Sequence, residues 1–308
     1  MNKERPSQAR LYFLLAWMVI FWAVNYVIGK IALREFPSLL LACLRTQVAA
    51  LAILPIYWLR REPGAAMKPA EFWRVALIGF FGLIVNQVLF VVALARTSVA
   101  HTALGVACAP ILVLLLAAAI GQERITWRKG IGMLIAAGGV LILQIFKESK
   151  STATLAGDGY ILLFACAFAF YSVKGKEITR QFGSLTVNTV AYVTGAMVLT
   201  PVTMWAGWGF DYTRVSLAGW ASLMFMAIFP AVLSSLIYYY ALTYLPASRV
   251  SGVLYLQPLL ATLLAAATIG EPVGISLAIG GILILIGVYS TEHAGNPTAN
   301  VLSSTAEE

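Results

Sequence analysis

Long apolar runs alternate with short polar connections along the whole chain, and each run is roughly 20 residues long. A helix of about that length crosses the hydrocarbon core of a bilayer and satisfies its own backbone hydrogen bonds there. The pattern therefore predicts an all-α integral membrane protein with ten transmembrane helices. The predicted spans are Leu11–Leu33, Ser38–Leu59, Phe72–Leu94, Val99–Ile120, Lys129–Ile145, Tyr160–Ile178, Leu185–Gly207, Leu217–Leu242, Ser248–Ile269 and Val273–Ser290.

The chain also contains an internal repeat. The stretch from Ala93 to Glu123 matches the stretch from Ala241 to Glu271 at a constant offset of 148 positions, which places Pro110 on Pro258. Five spans fall in each half, and an odd number forces the second half to enter the membrane from the opposite side. We therefore expect two inverted five-helix repeats, at residues 1–148 and 149–291, followed by a disordered cytoplasmic tail at residues 292–308.

Composition and charge support this interpretation. The chain is 60% hydrophobic and only 11% charged, whereas soluble domains are about 25% charged. The net charge of +8 comes from basic residues at the ends of spans, so we expect no nucleic-acid partner. Of the 21 lysines and arginines, 14 fall on the side of the N-terminus and 6 on the other. This bias predicts a multi-pass protein of the bacterial inner membrane with both termini in the cytoplasm.

Polar and aromatic side chains within the spans are the candidate substrate-binding residues, because such groups are costly in lipid and mark a transport pathway. The candidates are Trp17, Asn25, Tyr26, Lys30, Arg45, Gln47, Asn86, Gln87, Tyr171, Tyr192, Tyr239, Tyr255 and Gln257. Carboxylates are found only near the predicted ends of spans, which argues against a membrane-embedded proton relay and against lipophilic cations as substrates. The charged candidates Arg45 and Lys30 are positive, which favours a solute that carries a carboxylate.

Each candidate also has a structural alternative. Tryptophan is common at membrane interfaces, so Trp17 could face lipid, and Lys30 could snorkel to the headgroups. Arg45 could hydrogen-bond backbone carbonyls at a helix end. Asn25, Asn86 and Gln87 could be interhelical hydrogen-bond partners.

Proline and glycine positions add two structural expectations. Pro110 and Pro258 lie within spans and predict helix breaks with a gating role; the alternative is a kink that serves packing. The fifth and tenth spans contain closely spaced glycines and almost no polar side chains. We expect these two spans at the periphery, or in a contact between halves or between protomers.

The chain resembles the EamA family of the drug/metabolite transporter superfamily over residues 11–290. The resemblance rests on the ten-span plan, on Trp22-Ala23-Val24-Asn25, on Arg45, and on Pro110 with Gly121-Gln122-Glu123, echoed by Pro258 with Gly270-Glu271. It implies an inner-membrane exporter of small metabolites that works by alternating access. The aromatic-rich first span is similar to the aromatic amino-acid exporters of the family, of the YddG type. The second half departs from the pattern, because Ala191 stands opposite Arg45.

The leading hypothesis is thus an exporter of amino acids, aromatic or otherwise neutral, with a central cavity. One alternative is a transporter of nucleotide sugars or phosphorylated metabolites, which would need more cationic side chains. Another is a membrane scaffold or sensor without transport. Enzyme motifs and Cys/His clusters are not found in the sequence, so we expect no catalysis, no metal and no cofactor. The expected partners are a small solute and the lipid bilayer, with the protein a monomer or homodimer.

Overall fold

The computed structural model describes residues 6–60, 67–96, 102, 106–145, 155–269 and 275–293. These residues form ten main helices and no strands, which confirms the predicted fold class. The helices are α1 (Gln8–Ala32), α2 (Ser38–Arg60), α3 (Pro69–Arg96), α4 (Ala109–Ala119), α5 (Trp127–Ile145), α6 (Leu155–Phe182), α7 (Ser184–Ala206), α8 (Leu217–Tyr244), α9 (residues 247–269) and α10 (Ile275–Glu292).

Five of these helices, α1, α2, α3, α7 and α8, are individually long and apolar enough to cross a membrane. Glu271 and almost all of the predicted C-terminal tail lie outside the described residues. The face at which α1 begins and α10 ends is called the terminal face below, and the other side of the bundle is called the opposite face.

The two halves interleave around a pseudo-twofold axis. Helix α1 packs against α8 and α9, and its counterpart α6 packs in the same way against α3 and α4. Helices α2 and α7 pack against each other, as do α5 and α10. Because each half has five helices, this axis relates halves that cross the membrane in opposite directions.

Helices α3 and α8 each contain a π-helical segment at the same position of the repeat. The segments are Phe80–Ile84 in α3 and Ala227–Leu233 in α8. Gly82 and Pro230 are equivalent in the repeat. Gly82 permits close packing of its segment, whereas Pro230 interrupts the backbone hydrogen bonding of its segment. A Cβ atom at Gly82 would lie 2.2 Å from the Cβ atom of Tyr171, so only glycine lets α3 and α6 approach this closely. Pro230 lacks a backbone N–H and cannot complete a regular helical ladder.

Helix α9 is interrupted just before Pro258, where the sequence predicts a helix break. It consists of a short helix, Ala247–Gly252, a 3₁₀ turn, Val253–Tyr255, and a longer helix, Leu256–Ile269, whose first turn contains Pro258. Pro110 likewise stands in the first turn of α4, directly after a turn at residues 107–108. Both prolines thus lie where a helix restarts, which is a favourable position for a residue without an N–H group.

A lysine at the end of the first helix of each half supports the end of the third. Lys30 Nζ donates to the carbonyl oxygen of Leu94 at 2.5 Å, and Lys176 Nζ donates to that of Leu245 at 3.0 Å. Carbonyls in the last turn of a helix lack backbone donors, and a lysine nearby satisfies one of them. In the sequence, Gly29-Lys30 recurs as Gly175-Lys176 at an offset of 146 positions, and this shared contact explains the recurrence.

Helices α5 and α10 pack with their backbones almost in contact and so join the two halves. A Cβ atom at Gly139 would lie 2.7 Å from the carbonyl oxygen of Gly280, and one at Gly132 would lie 2.8 Å from that of Gly287. Of the three expectations for these helices, the structure shows the contact between halves and a peripheral position. Their outer faces carry exposed leucines such as Leu134.

Candidate functional site

A cavity of about 640 Å³ lies between α1, α2, α3, α6, α8 and α9, near the middle of the bundle. The wall residues are Trp22, Asn25, Tyr26, Arg45, Gly82, Leu83, Asn86, Gln87, Phe90, Val106, Phe164, Phe168, Ser235, Tyr238, Tyr239, Leu254 and Gln257.

A continuous band of aromatic side chains runs around this wall. In order, its members are Tyr26, Phe90, Phe164, Phe168, Tyr238 and Trp22. Neighbouring ring centroids along the band lie 5.2 to 6.2 Å apart. The band closes through α1, where Trp22 and Tyr26 are four residues apart and therefore on the same helix face. It presents apolar faces and edges to whatever occupies the cavity.

Arg45 is the cation of the cavity wall, and it is 3% exposed. Its Nε donates to the carbonyl oxygen of Met226 at 3.0 Å, whereas its Nη1 has no hydrogen-bond partner among the described residues. The described wall contains no aspartate or glutamate. A buried cation without a counter-ion is costly, so the arrangement is complementary to an anionic group inside the cavity.

The π-helical segment of α8 positions several of the surrounding side chains. Trp22 Nε1 donates to the carbonyl oxygen of Pro230 at 2.9 Å, and Tyr192 Oη donates to that of Ala231 at 2.7 Å. Arg45 bonds to Met226, the residue immediately before the segment. The irregular backbone of α8 therefore leaves carbonyl oxygens free to accept hydrogen bonds from side chains of α1, α2 and α7. These hydrogen bonds fix the orientation of the three side chains.

The amide side chains of the wall differ in what they contact. Asn86 Nδ2 donates to the carbonyl oxygen of Phe164 at 3.0 Å, which makes it a link between α3 and α6. Gln257 Oε1 accepts a long hydrogen bond from Tyr26 Oη at 3.4 Å. Asn25 is 3% exposed, and its Oδ1 has no partner among the described residues. The Asn25 amide oxygen is thus a buried acceptor in the wall that no described residue uses.

The structure brings seven of the thirteen predicted binding residues together in the wall: Asn25, Tyr26, Arg45, Asn86, Gln87, Tyr239 and Gln257. Trp17 and Lys30 lie elsewhere. Trp17 is 44% exposed on the outer surface of α1, because it lies five positions before Trp22 and is therefore turned about 140° around the helix from it. Lys30 bonds to Leu94, as described above.

The other four predicted residues lie behind the wall or outside it. Gln47 Nε2 donates to the carbonyl oxygen of Ala196 on α7 at 2.9 Å. Tyr192 lies in a second layer, where its hydroxyl is 3.3 Å from Gln87 Nε2. Tyr171 packs its ring on Tyr239, with centroids 4.5 Å apart. Tyr255 belongs to a separate apolar cluster between α5 and α10.

Sequence reasoning missed most of the aromatic band, including Phe90, Phe164 and Phe168. The available signal was spacing, because Phe164 and Phe168 are four residues apart on α6, as Trp22 and Tyr26 are on α1. Phenylalanine has no polar atom to distinguish a cavity wall from a lipid-facing surface. In the described part of the chain, no group of three His, Cys, Asp or Glu side chains could hold a metal ion.

Comparisons with known proteins agree with this architecture. The profile of the EamA-like transporter family matches twice, over residues 9–145 and 155–291. An uncharacterized transporter of Archaeoglobus fulgidus is 28% identical over 282 residues, which are 90% of this chain and 97% of that protein. A crystal structure with 18% sequence identity superimposes with a TM-score of 0.73 and covers 98% of this chain and 100% of its own.

Two relatives have more informative names. One is named as a probable terminal-alkyne amino-acid exporter of Streptantibioticus cattleyicolor; it is 26% identical and covers 89% of this chain and 90% of its own length. The other is the uncharacterized inner membrane transporter YedA of Escherichia coli K12, which is 25% identical and covers 85% and 83%.

Proposed function

Since the chain belongs to the EamA-like transporter family, we propose that it exports amino acids with aromatic or other large neutral side chains. Export proceeds by alternating access through the central cavity. The observation that carries this proposal is Arg45, a buried guanidinium on the cavity wall with an unpartnered Nη1. A guanidinium binds a carboxylate strongly and with defined geometry, so the α-carboxylate of an amino acid is its natural partner.

The aromatic band and Asn25 are complementary to the side chain and the α-ammonium group of a large neutral amino acid. The aromatic band gives an apolar surface for a large side chain. The α-ammonium group needs an acceptor, and the Asn25 amide oxygen is one that no described residue uses. A neutral amide accepts from an ammonium without adding a net charge to the site. Together these groups match a zwitterion with a bulky side chain.

The named relatives support the same class of solute and the same location. One relative carries the name of an amino-acid exporter and another that of an inner membrane transporter. We place this chain in the inner membrane with both termini in the cytoplasm, as the distribution of lysines and arginines predicts. The terminal face is then the cytoplasmic face. We assign no catalytic role to any residue.

A phosphorylated solute fits this wall less well. Nucleotide sugars carry at least two negative charges, and their recognition commonly uses several arginines or lysines. Arg45 is the cationic residue of the described wall, while Lys30 and Lys176 bond to backbone carbonyls outside it. A scaffold or sensor without transport has no evident use for a central cavity that contains an uncompensated arginine.

Flux in proteoliposomes tests the proposal directly. Purified protein is reconstituted, and efflux is followed for labelled phenylalanine, alanine, phenylalaninol and a nucleotide sugar. Phenylalaninol keeps the ring and the amine but has no carboxylate. We expect saturable flux of phenylalanine, slower flux of alanine and background flux of the other two. Efficient flux of phenylalaninol or of the nucleotide sugar would contradict the proposed role of Arg45.

A further inference from the structure

Glu123 is a buried carboxylate in the connection between α4 and α5. It is 5% exposed, although its position near the predicted end of a span gave no sign of burial. Its Oε1 accepts the backbone N–H of Ser248 at 3.0 Å. Its Oε2 accepts the hydroxyl of Ser248 and the ammonium of Lys129, the latter at 2.9 Å. Lys129 is itself only 2% exposed, so this cluster of three residues excludes solvent.

The cluster holds the carboxylate in its ionised form. Burial alone would raise the pKa of Glu123, but the Ser248 hydroxyl, the Lys129 ammonium and the Ser248 backbone N–H together lower it below its ordinary value. A buried ion pair whose oxygens are also hydrogen-bonded is stable only while all its partners stay in place. Separating Ser248 from Glu123 would leave a poorly compensated charge unless water entered.

Ser248 belongs to the short first helix of α9. Two contacts with different parts of the bundle hold this helix in place. One is the contact with Glu123, and the other is the ion pair between Arg249 Nε and Glu292 Oε2 at 3.4 Å. Glu292 also accepts a hydrogen bond from Tyr12 Oη at 2.6 Å. The end of α4, the end of α10 and the start of α1 are thus all fastened to the same short segment of α9.

This segment leads directly into the cavity wall. After the 3₁₀ turn at Val253–Tyr255, the chain supplies Leu254 and Gln257 to the wall. At about 1.5–2 Å of rise per residue, Ser248 lies about 9–12 Å along α9 from Leu254, toward the terminal face. In the same layer, Gln122 Nε2 donates to the carbonyl oxygen of Val173 on α6. The buried cluster therefore closes the bundle between the cavity and the terminal face.

From this geometry we propose that Glu123, Lys129 and Ser248 form the gate of the terminal face, and that the Glu123–Ser248 contact breaks in each transport cycle. The short first helix of α9 is the moving part, and the 3₁₀ turn before Pro258 is its hinge. The inference rests on the alternating access of the proposed function, but it does not depend on which solute is carried.

Accessibility of a reporter cysteine tests the gate. Leu254 is replaced by cysteine in a chain whose Cys43, Cys108 and Cys166 are replaced by serine. Vesicles of both orientations, identified by a tag on the N-terminus, are treated with a membrane-impermeant maleimide. We expect the parent to react slowly from the terminal face. We expect Glu123→Gln and Ser248→Ala each to speed this reaction about tenfold or more, and to slow the reaction from the opposite face.

A matched control separates the gate from general effects of charge. Glu177 lies on the terminal face and pairs with Arg74 at 3.2 Å, but both side chains are about half exposed. Glu177→Gln removes the same charge from the same face, and we expect parental labelling from both sides. A destabilised fold would speed labelling from both faces. That result, or unchanged labelling in variants that remain folded at the temperature of the experiment, would overturn the proposal.

The design also distinguishes the gate from the proposed substrate. Labelling requires no solute, so the opposite shifts at the two faces are measurable whatever the protein transports. If phenylalanine flux fails in proteoliposomes while the labelling shifts are found, the gate stands and the proposed substrate is wrong. If flux is found and the shifts are not, the substrate stands and the gate is wrong.

Discussion

Arg45 Nε donates to the carbonyl oxygen of Met226 at 3.0 Å. This hydrogen bond holds the guanidinium group of α2 against the irregular backbone of α8. Met226 immediately precedes the π-helical segment, where the backbone ladder changes its spacing. One edge of the guanidinium is therefore used to hold its position. The unpartnered Nη1 is then oriented before any solute arrives, which lowers the entropic cost of binding.

The first prediction concerns the charge of Arg45. Arg45→Gln should weaken phenylalanine binding by about 30-fold or more, because truncating one member of a buried charge pair costs about 2–5 kcal/mol. Binding of phenylalaninol should be almost unchanged, since it has no carboxylate to lose. Equilibrium binding of both compounds to the purified variant measures the difference. Equal loss for both compounds would mean that Arg45 serves only the fold.

Gln47 provides the control on the same helix. Its amide donates to the carbonyl oxygen of Ala196 and lies close to the hydroxyls of Thr200 and Thr203, away from the cavity wall. Gln47→Ala should lower the free energy of unfolding by about 1 kcal/mol, the net value of a typical hydrogen bond. Phenylalanine binding by the folded variant should remain parental.

The second prediction compares two tryptophans of α1. Trp22 is part of the aromatic band, whereas Trp17 packs against Phe21 at the outer surface. Trp22→Ala should reduce the preference for phenylalanine over alanine about tenfold, because one aromatic contact is worth about 0.5–1.5 kcal/mol beyond its buried area. Trp17→Ala should leave the preference unchanged. Competition binding measures both ratios, and equal effects of the two substitutions would contradict the assignment of the wall.

The third prediction concerns the paired lysines of the repeat. Lys30→Met and Lys176→Met each remove a donor to the carbonyl at the end of another helix. Both should lower the melting temperature by about 2–5 °C while leaving the phenylalanine affinity of the folded protein intact. Lys174 makes no hydrogen bond or ion pair within the described part of the chain, so Lys174→Met is the control and should melt like the parent. A tenfold loss of affinity in Lys30→Met would restore its predicted role in carboxylate binding.

The fourth prediction tests the close approach of α3 and α6. Gly82→Ala places a methyl group 2.2 Å from Tyr171 Cβ, which forces the π-helical segment to move and should cost about 1–3 kcal/mol. A methyl group at Gly138 in α5 would have no neighbouring atom within 4 Å, so Gly138→Ala should be neutral or stabilising by up to about 1 kcal/mol. Thermal unfolding in detergent compares the two. Equal stability would indicate that the two helices separate without cost.

The helical plan was readable from the sequence because it depends on local quantities. Span length, turn residues and the match of Pro110 with Pro258 predicted ten helices in two halves, and the Gly-Lys repeat marks a contact that occurs in both. The glycines of the fifth and tenth spans likewise indicated close packing, because only glycine permits backbones to touch.

The site was only partly readable, because the sequence does not say which face of a helix meets a cavity. Trp17 and Trp22 are equally apolar in sequence, and only tertiary packing turns one inward. The π-helical segments are not recognisable from the local sequence, although Pro230 within an apolar run is consistent with a π-helical segment. Glu123 was expected near the end of a span because of its position in the sequence. Its burial by α5, α6 and α9 depends on tertiary packing, which the sequence does not show.

The last prediction is a pH dependence that arises from Glu123. Its partners keep the pKa of this carboxyl below the ordinary value of 4.5, so its stabilising effect is fully present above that value and is lost as the pH falls through the lowered one. The groups that face it are Lys129 from α5, Lys176 from α6, Tyr238 from α8 and Ser248 from α9.

Thermal unfolding of the parent and of Glu123→Gln from pH 7 to pH 4 measures this effect. At pH 7 the variant should melt about 2–6 °C lower, because it loses hydrogen bonds to a charged acceptor. The difference should shrink as the pH falls below the ordinary value of 4.5, because the carboxyl of the unfolded parent takes up a proton there before that of the folded parent does. Glu35 and Asp211 also have lowered pKa values, from hydrogen bonds with Ser216 and Thr213 respectively, but they are present in both proteins and cancel in the difference. A difference that stays constant down to pH 4 would show that the charge of Glu123 does not stabilise the closed terminal face.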